Sequence, residues 1–112
     1  MELHDKSCTP CKRGERSLGP EEIAMFVPYV PQWQVSGGGL RLVRDFRFET
    51  YAQILTFVAA AGAMAEQEGH HPDICFGWCH ATVALSTHEL KGLHENDFIM
   101  AAKIDRLCPG LT

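Results

Sequence analysis

The chain has 112 residues, 46% of them hydrophobic, and a formal net charge of −4 at pH 7. That length suits a single domain, and no apolar run reaches the roughly 20 residues that a membrane-spanning helix needs. Acidic and basic residues are mixed without the basic stripe that tracks a phosphate backbone, so neither direct nucleic-acid binding nor a membrane role is expected.

Residues 1–17 read as a flexible polar tail lacking the apolar core of a signal peptide, so the cytoplasm is the expected location. The tail carries Cys8-Thr9-Pro10-Cys11 and then the charged run Lys12-Arg13-Gly14-Glu15-Arg16. Five cysteines is an odd number and does not suggest a secreted disulfide framework, so free thiols are expected. The C-x-x-C is half of a zinc knuckle, which His70, His71 or His88 would have to complete. A lone half-site is weak evidence, and no metal is assigned. A thioredoxin-like role fits less well still, because the pair does not sit at a strand-to-helix junction.

Residues 18–112 form the expected folded domain. Pro20 followed by Glu21 and Glu22 opens a helix whose stripe is Ile23, Phe26, Val27 and Val30, with Pro28 and Pro31 keeping it short or bent. Trp33 to Val35 is extended, Ser36-Gly37-Gly38-Gly39 turns, and Leu40 to Phe48 returns as a strand. In that strand Leu40, Leu42, Phe46 and Phe48 share a face, while Val43 and Arg44 break the alternation. Thr50 and Gln53 make a capping box for the strongest helix of the sequence, with Ile54, Phe57, Val58, Ala61 and Ala65 inward and Gly69 at its end. Ile74 to Trp78 and Ala81 to Thr87 read as two more strands. A last helix starts at Glu95 or Asn96, carries Phe98, Ile99 and Ala102, and stops at Cys108-Pro109-Gly110. The expected class is α+β: a four-stranded antiparallel sheet with three helices on one face, in the order α-β-β-α-β-β-α.

Six histidines are the main source of chemistry. His4 and His94 read as solvated positions in the tail and a loop. His70 and His71 follow the long helix, His80 sits at the turn between the last two strands, and His88 follows the second of them. A tight hairpin would place the start of one strand beside the end of the other, bringing His71 near His88. Glu66, one turn before His70, would face the same region. Imidazoles with an unperturbed pKa near about 6.5 suit proton transfer, and a neighbouring carboxylate fixes their tautomer. Adjacent histidines at a helix end more often cap carbonyls, so this pattern alone does not decide the function.

Glu66-Gln67-Glu68-Gly69-His70-His71-Pro72, the aromatic Trp78, Thr87-His88 and Asp97 occur at spacings that resemble the pterin-4a-carbinolamine dehydratases. Trp33, Arg44-Asp45-Phe46-Arg47-Phe48 and Asn96-Asp97-Phe98 extend the resemblance over about Leu18 to Leu107. It implies the α+β fold above and the dehydration of 4a-hydroxytetrahydropterin to quinonoid dihydropterin without metal or organic cofactor. It also implies the pterin substrate and an aromatic amino-acid hydroxylase as metabolic partners, and a homodimer or homotetramer. On this reading His70, His71, His88 and Glu66 are catalytic candidates, and Trp33, Thr87 and Gly69 are substrate-binding candidates. Trp33 is equally suited to anchoring the core, and Asp97 reads as a helix cap more than a chemical group. The alternative is a non-enzymatic binding partner or coactivator of the same fold. Glu89, Lys91-Gly92, Trp78 and Cys79-His80 are expected departures or variants that bear on pterin affinity and turn shape.

Overall fold

The chain alternates helices with pairs of strands in a computed structural model that describes residues 2–108. α1 spans Pro20–Phe26, β1 Gln34–Ser36, β2 Arg41–Arg47, α2 Tyr51–Glu68, β3 Asp73–Gly77, β4 His80–Leu85 and α3 Glu95–Asp105. Single 3-10 turns occur at Leu3–Asp5, Val27–Tyr29 and His88–Leu90. Pro28 accounts for the second of these, because it cannot donate the backbone hydrogen bond that would continue α1.

The sheet has the order β1-β2-β4-β3, and all neighbours are antiparallel. Gly37, Gly38 and Gly39 all have positive φ, which lets the β1–β2 turn reverse without Cβ strain. Leu42, Phe46, Ala81, Val83 and Leu85 project from alternate positions into one core with Ile54 and Phe57 of α2 and Phe98 and Ile104 of α3. The α2 cap is formed as its sequence implies: Gln53 N–H donates to Thr50 Oγ1 at 3.1 Å, and the Gln53 side chain accepts from Thr50 N–H at 3.2 Å. The α+β order and the helical stripe of Ile54, Phe57, Ala61 and Ala65 therefore stand as read.

Four local readings need correction. Arg44 does not break the β2 alternation: it lies on the core face, 6% exposed, with its guanidinium 4.1 Å from the centre of the Phe46 ring. It can be buried because Arg44 Nη1 donates to Asp105 Oδ1 at 2.7 Å. Leu40, in contrast, is 51% exposed. The tail is irregular but lies on the domain, with Leu3 7% exposed inside the core. Finally, α3 stops at Asp105, earlier than the Cys108-Pro109-Gly110 stop; Pro109 and Gly110 lie outside the described residues. Among the described residues no helix is long and apolar enough to cross a membrane.

Asp105 Oδ1 also accepts from Trp33 Nε1 at 2.8 Å, so one carboxylate holds β2, α3 and the segment before β1 together. Burial nevertheless dominates its titration and holds the carboxyl above its ordinary value, outweighing the Trp33 and Arg44 donors. Asp105→Ala is expected to cost about 3 kcal/mol in urea unfolding, by leaving a buried guanidinium and indole N–H without this acceptor. Asp105→Asn keeps an oxygen there and should cost much less. A folded-state pKa above the unfolded value contributes stability at low pH that is lost as pH rises through the folded value. The stability of the wild type relative to Asp105→Asn should therefore fall as pH rises through the raised folded-state value of this carboxyl, read by urea unfolding across pH.

Candidate active site

Gly69 ends α2 in the left-handed conformation, φ +69°, which an L side chain would adopt only with strain. The reversal sets His70 and His71 directly beyond the helix, and Pro72 leads into β3. Asp73 pairs with Ala84, so the start of β3 lies beside the end of β4. Thr87 and His88 follow β4 into a 3-10 turn, closed by the Thr87–Gly92 bridge. The hairpin thus brings the histidine pair and Thr87-His88 to one end of the sheet, while His80 is at the β3–β4 turn at the other end.

Asp97 organises this end. It is fully buried, and its two carboxylate oxygens take hydrogen bonds from three segments. His70 Nε2 lies 2.6 Å from Oδ1, and Oδ2 accepts from the Thr87 hydroxyl at 2.8 Å and from the His94 backbone N–H at 3.0 Å. An ionised carboxylate only accepts, so Nε2 is the donating nitrogen of His70 and the neutral ring has its lone pair on Nδ1. The His70 side chain is itself only 12% exposed. Asp97 is therefore both the cap expected from sequence and the partner of His70, a role the sequence reading missed. The sequence suggested a cap at Asp97 without naming His94 as the other half of the box, and nothing in the local pattern signalled His70, 27 residues away.

The other candidates divide differently from the expected cluster. Glu66 Oε1 accepts from His71 Nε2 at 2.8 Å, with side chains 81% and 63% exposed respectively, so Glu66 orients His71 and not His70. His88 is exposed and lines a separate depression of about 330 Å³ with Arg41, Ser86, Thr87 and Lys91. No hydrogen bond or ion pair among the described residues links it to His70 or His71. Thr87 is 1% exposed with its hydroxyl committed to Asp97, which makes it a support for the site and not an open binding group. Trp33 is 3% exposed, packed edge-on to Phe46 and bonded to Asp105, so its ring faces are spent in the core and not presented to a ligand. Gly69 lines a cavity of about 490 Å³ between the tail and the ends of α2 and α3.

His94 is not solvated. It is 8% exposed at the N-cap of α3, where Nδ1 accepts from Asn96 N–H at 3.0 Å and Nε2 donates to Glu15 Oε2 at 2.8 Å. Glu15 is held below its usual range, chiefly by the Lys12 backbone N–H and then by His94. Cys11, Glu15 and His94 place potential ligand atoms within 4.8 Å of one another, whereas Cys8 Sγ lies against the Asn96 carbonyl at 3.7 Å. The C-x-x-C thiols thus have different neighbours. Both nitrogens of His94 already serve protein partners, so a cation there would have to displace the Glu15 bond or the α3 cap.

The family model for pterin 4 alpha carbinolamine dehydratase matches residues 16–107. The chain belongs to this family. It is 47% identical over 106 residues to the pterin-4-alpha-carbinolamine dehydratase homologue of Azoarcus sp. (strain BH72), covering 95% of this chain and 91% of the relative. A homologue from Methylococcus capsulatus is 47% identical over 105 residues, covering 94% and 92%. Among solved structures, a transcriptional coactivator/pterin dehydratase from Brucella melitensis superposes with TM-score 0.78 at 28% identity, over 82% of this chain and 98% of that one. A pterin dehydratase-like protein identified as a RuBisCO assembly factor in the alpha-carboxysome has TM-score 0.61 at 32% identity, over 70% and 90%. The family match contains Glu66, His70, His71, His88 and Asp97, and leaves out the tail before residue 16.

Removing a donor from a buried carboxylate is costly, whereas an exposed ion pair contributes little. Thr87→Val is expected to lower unfolding free energy by about 1–2 kcal/mol, and His71→Ala by less than about 0.5 kcal/mol, both by urea titration.

Proposed function

We propose that this chain dehydrates 4a-hydroxytetrahydropterin to quinonoid dihydropterin by histidine acid–base catalysis. Membership of the family supports the reaction, and the buried Asp97–His70 pair is the observation that carries the catalytic reading. A fully buried carboxylate holding an imidazole in one tautomer is more than a partner-binding surface requires.

The elimination breaks the C4a–O bond of the carbinolamine and the N5–H bond. The electron pair of N5–H forms the C4a–N5 double bond, and the hydroxyl departs as water once protonated. His70 Nδ1 suits removal of the N5 proton, because Asp97 stabilises the imidazolium that results. His88, exposed at the same end of the sheet, is assigned as the group that protonates the leaving hydroxyl. His71, oriented by Glu66, would contact the pterin and stabilise developing charge. Gly69 would border the bound ring through backbone alone. The expected setting is the recycling of a pterin cofactor for an aromatic amino-acid hydroxylase, by a homodimer or homotetramer.

The test is the rate of quinonoid dihydropterin formation from 4a-hydroxytetrahydropterin, followed by ultraviolet absorbance. His70→Ala should lower kcat by about 10²–10⁴-fold, with a smaller loss for His88→Ala. Asp97→Asn should also lower kcat, because a neutral amide replaces the carboxylate that accepts from His70 Nε2. Wild-type rates no faster than buffer would overturn the enzymatic reading.

A further inference from the structure

The tail before residue 16 lies outside the family match, yet it is fastened along the candidate site. Lys6 pairs with Glu95, and Lys103 Nζ donates to the His4 carbonyl at 3.1 Å. Cys8 N–H donates to Glu68 Oε1 at 2.8 Å. Thr9 is held twice by one side chain: its N–H donates to Asn96 Oδ1 at 3.0 Å and its carbonyl accepts from Asn96 Nδ2 at 2.6 Å. A carboxamide can satisfy the donor and acceptor of one residue together, so it fixes both position and direction of the strap. Asn96 is 4% exposed and immediately precedes Asp97.

Between this strap and the domain lies the cavity of about 490 Å³, with residues 8–11 on one side and Glu68, Gly69, Glu89 and Asn96 on the other. Three of the domain-side residues adjoin site groups directly in sequence: Gly69 precedes His70, Glu89 follows His88, and Asn96 precedes Asp97. The volume is within the range of small-molecule sites. We propose that residues 8–11 form a wall of the pterin pocket, with Cys11 a substrate-contacting residue that sets affinity. The inference rests on the pterin reading of the site.

The chemistry of the wall suits a flat reduced heterocycle. Pro10 and the sulfur of Cys11 offer apolar, polarisable surface on the strap side of the cavity. Burial and the nearby Glu89 and Glu15 carboxylates push the Cys11 thiol up, and burial with Glu68 pushes Cys8 up to about 12. These surroundings lower the thiolate fraction at both sulfurs, so each is a weakened nucleophile toward an electrophilic quinonoid ring.

The deciding experiment measures alkylation of individual cysteines of the wild-type chain by N-ethylmaleimide, using peptide mass spectrometry, with and without saturating 7,8-dihydrobiopterin. Ligand should slow Cys11 modification by about fivefold or more and leave the exposed Cys75 unchanged. Cys11→Trp should raise KM by about tenfold with a smaller effect on kcat, and Cys11→Ser, which replaces the polarisable sulfur with a hydrated hydroxyl, should raise KM by a smaller factor. Pterin binding, seen by quenching of tryptophan fluorescence, with no protection of Cys11 would overturn the strap proposal and leave the proposed reaction standing. Absence of pterin binding would overturn both.

Discussion

The working end of this molecule depends on one buried charge, the carboxylate of Asp97. Placing a carboxylate at zero exposure costs several kcal/mol unless donors replace its water. The donors come from the segment after α2, the segment after β4 and the cap of α3. His70 is 27 residues from Asp97, whereas Thr87 and His94 both belong to the connection between β4 and α3. The ion therefore stabilises the fold only when all three segments have arrived. Its satisfaction and the orientation of His70 are the same event.

A second carboxylate plays a structural counterpart further along α3. Asp105 accepts from Arg44 and Trp33, tying the helix to the centre of β2 and to the approach to β1. The two ions differ in what they leave free. Trp33 and Arg44 are used up by packing, whereas His70 retains the nitrogen opposite its Asp97 bond. That difference separates a staple from a site, although both are built from a carboxylate of α3 and a nitrogen donor. The N-terminal strap adds a third connection: Asn96 clamps Thr9 one residue away from Asp97, so the tail is registered against the same helix turn.

Much of the architecture was legible in the sequence because it is written in local periodicity. The Thr50–Gln53 box, the Ile54-Phe57-Ala61-Ala65 stripe and Gly69 define α2 without reference to the rest of the chain. The Gly37-Gly38-Gly39 turn and the Pro72 stop divide the strands equally plainly. The site was legible in its residue types but not in its pairings. Glu66 read as a neighbour of His70, but the left-handed turn at Gly69 swings His71 back to it instead. Arg44 looked like an error in a strand pattern because its counter-ion lies 61 residues away.

The sequence by itself determined the α+β order, the helix limits near Thr50 and Gly69, and the set of ionisable groups at one end of a hairpin. Those follow from hydrogen bonds and side-chain periods that span a few residues. Only the tertiary structure decided that Asp97 holds His70, that Trp33 and Thr87 are supports, that His94 is a buried cap and that the tail lies on the domain. Each of those depends on which distant donor reaches a buried acceptor, and a buried charge selects its partners by proximity in space. Sequence distance carries no record of that choice.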